Sequence, residues 1–224
     1  MDSSRVENLK PRWWRLRLVE RFANVLYPID LFELLRQLPN AGYIVPQRIF
    51  KGVIEPGEAA ALKGNVELVA NQDNKTLGIE GHEIGPAEII DSFNELRSFW
   101  HEHLDSSQNT ETHYLELTGE GLVKTGKNPV KVFGQYWAQF SKMQALNKIL
   151  GCEVSNFGLR LSPINVEPNS ADWFDVRIQP LVVSSTKCYH VNLVWRNRDI
   201  NKAIKAFSKT DDTIANLILE VERE

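Results

Sequence analysis

Hydrophobic and polar residues alternate most regularly in the stretch between Asp172 and Trp195. The runs 172–183 and 186–195 place apolar side chains at every second position, which is the period of a strand with one buried face. From Asp199 to Val221, apolar residues recur every three or four positions, a pattern that predicts an amphipathic helix. The pattern therefore predicts two strands followed directly by a helix.

A similar order of elements is predicted in the first half of the chain. Alternation over residues 13–22 predicts a strand, and leucines at helical spacing over residues 31–38 predict a short helix. Residues 43–50 predict a strand that Pro46 confines to a sheet edge or a bulge. We interpret residues 55–64 as a loop, residues 65–70 and 76–80 as a hairpin, and the residues after Pro86 as a helix.

The second half repeats this order. Its predicted elements are a strand over residues 113–118, one long helix over 128–150, a strand over 154–163, and the hairpin and helix described first. The polar residues 105–112 are the candidate linker. The chain is thus predicted to consist of two β-α-β-β-β-α halves, residues 1–108 and 109–224, which form one pseudo-symmetric unit.

These elements indicate an α+β fold. Alternation in nearly every strand favours a curved, largely antiparallel sheet with its helices packed on one face. In element order alone, this arrangement resembles the duplicated saddle of the TATA-box-binding protein fold. That resemblance implies an internal structural duplication.

Composition is that of a globular protein, with 42% hydrophobic and 25% charged residues. The formal net charge is −3, so binding to a polyanion would require a local basic patch. No apolar run is long enough for a membrane span, and residues 1–10 lack the pattern of a signal peptide. We expect a cytoplasmic protein whose two cysteines, Cys152 and Cys188, are reduced.

One fragment has the spacing of a phosphate-binding loop: Gly121, Gly126 and Lys127 match G-x-x-x-x-G-K. The next residue is Asn128 where the motif has a Ser or Thr that binds magnesium, and Pro129 removes a backbone donor. The favoured interpretation is a turn in which Asn128 caps the following helix. The alternative is a nucleotide- or small-molecule-binding enzyme that uses this loop.

No catalytic residue, cofactor or metal site is predicted. His101 and His103 lie two positions apart on a predicted helix, where their side chains point away from each other. Neither cysteine has the flanking residues of an activated nucleophile.

The last feature of the sequence that bears on function is the face of the predicted sheet that the helices leave uncovered. If helices cover the face that contains Trp14, Leu16 and Leu18, alternation assigns an arginine-rich set with few acids to the opposite face. Such a face suits a protein partner, including a second copy of the chain, or a nucleic acid, and a merely solvated face is equally compatible. We predict a non-catalytic binding or assembly module, with a binding face formed by Trp13, Arg15, Arg17, Arg21, Arg160, Trp173, Arg177, His190 and Asn192.

Overall fold

A computed structural model of the chain describes residues 3–47, 49, 60–104, 109–138 and 143–223. Eight strands form one open sheet in the order β2-β3-β4-β1-β5-β8-β7-β6, and all neighbouring strands are antiparallel. The strands are β1 Arg12–Phe22, β2 Ala61–Lys63, β3 Val66–Asn71, β4 Thr76–His82, β5 Thr112–Lys124, β6 Leu159–Leu161, β7 Trp173–Pro180 and β8 Cys188–Asn197. The predicted α+β class and antiparallel sheet are confirmed.

Seven helices accompany the sheet in the described part of the chain. They are α1 Ser3–Asn8, α2 Leu31–Gln37, α3 Pro86–His103, α4 Pro129–Ala138, α5 Met143–Leu150, α6 Ile200–Phe207 and α7 Thr210–Val221. Short 3-10 turns occupy Leu38–Ala41 and Val182–Ser184. Among these helices, none is both long and apolar enough to cross a lipid bilayer.

The core lies between the sheet and the helices packed against it. Helix α3 packs on β1 and β4, while α6 packs on β5 and β8. Alternation along β1 buries Leu16 and Leu18 completely on this face, and α3 adds the fully buried Phe93 and Trp100. Because the central strands β1 and β5 pair directly, one hydrophobic cluster runs under both halves of the chain.

The C-terminal helix begins beside Asp199, as predicted. The side chain of Asp199 accepts a hydrogen bond from the backbone N–H of Lys202 and caps α6, a role that was not predicted. Pro86 occupies the first turn of α3, where no intrahelical partner for its missing N–H is needed. The predicted C-terminal helix is nevertheless two helices, α6 and α7, because a turn at Ser208 and Lys209 interrupts the helix.

The strand predicted over residues 43–50 is wrong within its described part. Only Ile44 forms a bridge, to Leu62, and residues 48 and 50 lie outside the described residues. The edge of this half of the sheet is instead β2, which falls in the stretch predicted as a loop. Pro46 has no N–H to donate to a ladder, whereas Ala61 and Leu62 gain partners on β3.

Three other boundaries differ from the sequence prediction. The strand predicted over residues 154–163 is reduced to β6, where pairing with β7 occurs. The helix predicted over residues 128–150 is described as α4 and α5, and residues 139–142 between them lie outside the described residues. Residues 105–108 of the predicted linker also lie outside them. Helix α1 was not predicted, because its short sequence is polar.

Candidate binding surface

The face of the sheet opposite α3 and α6 is called the open face here. It carries alternate side chains of β1, β4, β5, β6, β7 and β8, and cross-strand pairing places them in rows: Arg17 lies between Glu80 and Thr118, and Asn192 between Glu120 and Arg177. Its members include Trp14, Arg15, Arg17, Arg21, Glu80, His82, Tyr114, Glu116, Thr118, Glu120, Arg160, Trp173, Asp175, Arg177, His190, Asn192, Val194 and Arg196.

The two tryptophans of β1 lie on the faces opposite to those predicted. A register shift between Trp13 and Arg15 interrupts the alternation where β1 pairs with β5. Trp13 is only 3% exposed, and its Nε1–H donates to Oδ1 of Asp211 at 2.7 Å on the helix side. Trp14 instead lies on the open face, 5.5 Å from the ring of His190. Trp13 is therefore removed from the predicted binding face, and Trp14 replaces it.

A charged cluster lies at the β6 and β7 end of the open face. Asp175 is 5% exposed and accepts two hydrogen bonds from Arg160, at 2.8 and 3.0 Å, and two from Arg177, at 3.2 and 3.0 Å. Burial of Asp175 acts to raise its pKa, but these hydrogen bonds outweigh burial, and the pKa ends below its ordinary value. Both guanidinium groups stay at least half exposed, so they can also contact a partner.

Carboxylates also accompany the polar side chains in the middle of the face. Glu80 of β4 lies 3.6 Å from Nε of Arg15 and 3.8 Å from Nε2 of His82. His190 and Glu120 are joined by a hydrogen bond of 3.0 Å between Nε2 and Oε1. The positive and negative groups therefore interleave across neighbouring strands.

A stack of arginines and aromatic rings lies at the end of the face where β1 finishes and β5 begins. The guanidinium of Arg196 lies 5.2 Å from the ring centre of Tyr114 and 5.4 Å from that of Trp173. Arg21 lies 5.6 Å from the Tyr114 ring centre and donates to its hydroxyl oxygen at 2.9 Å. Arg196 also donates to Glu116 and to the carbonyl oxygen of Pro168. This hydrogen-bonded stack gives the face an aromatic component.

Arg17 differs from its neighbours on the open face. Its Nε is buried and has no hydrogen-bond partner among the described residues. Arg15, Arg160, Arg177 and Arg196 each have a carboxylate partner. Arg17 lies in a depression of about 380 Å³ whose lining also includes Arg15, Thr118, Glu120, Asp175, Arg177 and Asn192.

The open face therefore contains more acids than the sequence prediction assigned to it. Trp173, Arg177, His190, Asn192 and Arg160 lie on it as predicted, together with Arg15, Arg17 and Arg21. Sequence reasoning missed Glu80, Glu116 and Glu120, which come from β4 and β5. The alternation of Glu116, Thr118 and Glu120 was visible in the sequence, but their place beside β1 depends on strand pairing.

The glycine-rich fragment is divided between the end of β5 and a turn that leads into α4. Gly121 lies inside β5 and pairs with Trp13 and Val191, so its backbone is part of the sheet. The Nζ of Lys127 donates to the backbone carbonyl oxygen of Glu222 at 2.6 Å, at the end of α7. The side chain of Asn128 accepts from the N–H groups of Val130 and Lys131, as the N-cap interpretation predicts. The turn interpretation is thus the one that the structure supports.

A larger cleft of about 960 Å³ adjoins this turn between α4 and the end of α7. Lys127, Lys131 and Arg223 line it together with Glu220 and Glu222.

Within the described residues, no group of three or more His, Cys, Asp or Glu side chains could hold a metal ion. Comparisons of the chain with protein-family models, curated proteins and solved structures find no match.

Proposed function

We propose that this chain is a non-catalytic binding or assembly module whose open face docks on a protein partner. The observation that carries the proposal is the composition of that face. Exposed guanidinium groups lie side by side with carboxylates and aromatic rings on one sheet. Arginine and aromatic side chains are the residues that protein interfaces concentrate.

The charge balance favours a protein over a nucleic acid. A nucleic acid presents only negative charge along its backbone, and its affinity depends on unopposed cations. On the open face, Glu80, Glu116 and Asp175 already pair with arginines, and Glu120 pairs with His190. A protein surface with both signs of charge can complement this pattern, whereas a phosphate backbone would meet these carboxylates.

The size of the sheet is sufficient for a stable complex. With about 3.3 Å per residue and about 4.8 Å between strands, the eight strands give a face of roughly 1,000 Å². A protein interface of standard size buries about 800 Å² on each partner. A partner that covered most of this face would therefore reach that size, and a second copy of the chain could do so as well as another protein.

Site-specific photo-crosslinking in cells of the natural source tests this proposal. A photoreactive phenylalanine analogue replaces Val194, which lies on the open face, and, in a matched control, Asp91, which is exposed on α3. We expect a discrete protein adduct from position 194 alone. The purified partner, or the purified chain itself, must then bind in solution, and Arg177→Glu must weaken that binding.

Two results would count against a protein partner. One is equal crosslinking from positions 194 and 91, which would indicate a solvated face. The other is tight binding of single-stranded oligonucleotides that weakens steeply with salt and with neutralisation of Arg15, Arg17, Arg160 and Arg177, since that behaviour is typical of nucleic-acid binding. Light scattering over a range of concentrations separates self-association from binding to a different protein.

We also propose that the sheet arose by internal duplication, as in the saddle of the TATA-box-binding protein fold. The strand order within residues 12–82 is β2-β3-β4-β1, and the corresponding strands of residues 112–197 follow the order β6-β7-β8-β5. Each half also places a helix after its last strand. An experimental structure tests this idea: superposition of β1–β4 on β5–β8 should bring α3 onto α6 or α7, and a mismatch of the helices would reject duplication.

A further inference from the structure

The depression around Arg17 has the features of a receptor for one small anionic group. It lies near the middle of the open face, where β1, β5, β7 and β8 contribute side chains. Neutral polar groups of Thr118 and Asn192 line it beside the guanidinium groups. Its volume of about 380 Å³ is at the small end of the range for ligand sites, which suits one functional group of a larger partner.

The guanidinium of Arg17, which has no anionic partner among the described residues, identifies the group that is needed. A guanidinium forms its strongest hydrogen bonds with charged acceptors that present two oxygens. No described carboxylate pairs with Arg17, although those nearby pair with other residues: Glu80 with Arg15, Asp175 with Arg160 and Arg177, and Glu120 with His190. Because Nε itself is enclosed by the chain, an acceptor from outside would pair with the terminal Nη groups of this guanidinium.

The surrounding charges favour a monoanion. Among the residues that line the depression, the three guanidinium groups of Arg15, Arg17 and Arg177 stand against the two carboxylates of Glu120 and Asp175. The single positive charge in excess can be neutralised by one carboxylate. A phosphate dianion would add a further negative charge beside Glu120 and Asp175, which line the same depression. A planar carboxylate also matches the two parallel N–H donors of a guanidinium.

We propose that the Arg17 depression receives one carboxylate from the docking partner, supplied by an Asp or Glu side chain or by a chain terminus. This inference rests on the proposed docking function for the identity of the partner. The chemistry of the depression can still be tested without the partner.

Nuclear magnetic resonance of the arginine Nε–Hε groups in the full-length protein provides the test. Acetate, inorganic phosphate and chloride are titrated separately at constant ionic strength, at a pH where phosphate is mainly a dianion. Burial of Nε protects its proton from exchange with water, so the Arg17 signal should be observable. We expect a saturable shift of this signal with acetate, a weaker effect of phosphate and none of chloride.

Two variants make the test specific. Arg17→Lys keeps the charge but removes the two parallel N–H donors of the guanidinium. We expect the acetate dissociation constant, followed through the Thr118 amide, to rise about tenfold as one charge-assisted hydrogen bond is lost. Arg36→Lys, on the exposed surface of α2, should leave it unchanged. Thermal unfolding of both variants shows whether the fold is retained.

Three results would overturn the carboxylate inference: no saturable shift at Arg17, tighter binding of phosphate than of acetate, or equal acetate binding by Arg17→Lys. Its failure can be told apart from failure of the docking proposal. Crosslinking from position 194 without an acetate effect would reject only the carboxylate receptor. Acetate binding without any crosslinked protein would reject docking and leave a small-anion site.

Discussion

Arg97 of α3 donates from Nε to Oε2 of Glu20 at 2.9 Å, and this contact joins the helix layer to the central strand β1. Glu20 has no exposed surface, while the Arg97 side chain is 30% exposed. Thr112 of β5 donates a second hydrogen bond to the same carboxylate. A fully buried acid on the helix side of the sheet is thus held by two partners.

Removal of Arg97 should destabilise the protein more than removal of both charges. Arg97→Leu removes the charged hydrogen-bond donor of the buried Glu20, and we expect a loss of about 2–4 kcal/mol in the free energy of unfolding. The double variant Glu20→Leu/Arg97→Leu should lose less, because no buried charge remains unpaired. Urea-induced unfolding measures both values.

The control for this pair is Arg36→Leu, which breaks an exposed ion pair with Glu33 on α2 and should change stability little. If the double variant were less stable than Arg97→Leu alone, a buried Glu20 without Arg97 would not carry the cost that this prediction assigns to it.

Two glycines make a matched pair for a steric prediction. A Cβ at Gly78 would lie 2.1 Å from the carbonyl oxygen of Leu18, a backbone atom that cannot move aside. A Cβ at Gly126 would have no neighbour within 4 Å. Gly78→Ala should therefore lower the free energy of unfolding by about 3 kcal/mol or more, and Gly126→Ala should change it by less than about 0.5 kcal/mol.

Unfolding in urea, with circular dichroism as the signal, provides the comparison. Accumulation of Gly78→Ala as insoluble protein beside soluble Gly126→Ala would agree with the prediction. Equal stability of the two variants would show that β1 and β4 can separate locally to admit a methyl group.

Local patterns were enough to predict the hairpin and the start of the helix after it. The alternation in β7 and β8 depends only on neighbouring positions, and Asp199 caps α6 within four residues. The same alternation assigned most residues of the predicted binding face to the correct side of the sheet. These features involve short-range geometry, so sequence reasoning could identify them.

Features set by pairing between distant strands could not be predicted. The bulge places the side chains of Trp13 and Trp14 on the faces opposite to those predicted. It occurs where β1 pairs with β5, about a hundred residues later in the chain. The same pairing brings Glu116 and Glu120 next to the arginines of β1, which changes a basic face into one of mixed charge. No local signal in residues 12–22 carries this information.

Burial of the Asp211 carboxyl, which accepts the hydrogen bond from Trp13, predicts a dependence of stability on pH. Burial raises the pKa of Asp211 above its ordinary value, although the bond from Trp13 acts in the opposite direction. The folded protein thus holds the Asp211 proton more tightly than the unfolded chain. This contribution to stability is complete below the unfolded pKa and is lost as pH rises through the folded pKa.

Asp211→Asn should therefore gain stability relative to the native protein as pH rises from about 4 to about 7, because the amide cannot ionise and its oxygen still accepts from Trp13. Asp212→Asn is the control, since this exposed neighbour lies in the same first turn of α7. Unfolding in urea at several pH values measures the difference. A constant difference between Asp211→Asn and the native protein over this range would contradict a raised pKa.

Lys127 provides a prediction that separates a structural turn from a nucleotide site. Its Nζ donates to the carbonyl oxygen of Glu222, which caps α7, while Thr125 donates to the Glu222 side chain at 2.6 Å. A cation at the C-terminal end of a helix stabilises by about 0.3–1 kcal/mol, and Lys127→Ala should lose an amount of this order.

Magnesium and ATP should raise the melting temperature of neither the native protein nor Lys127→Ala, because the backbone at Gly121 is engaged in the sheet and cannot surround a phosphate. Lys131→Ala, a lysine of the adjacent cleft that is not in the motif, is the matched control. A nucleotide-dependent rise in the native protein that disappears only in Lys127→Ala would restore the enzyme alternative. A rise that both lysine variants reduce equally would indicate general attraction of the nucleotide to the cleft.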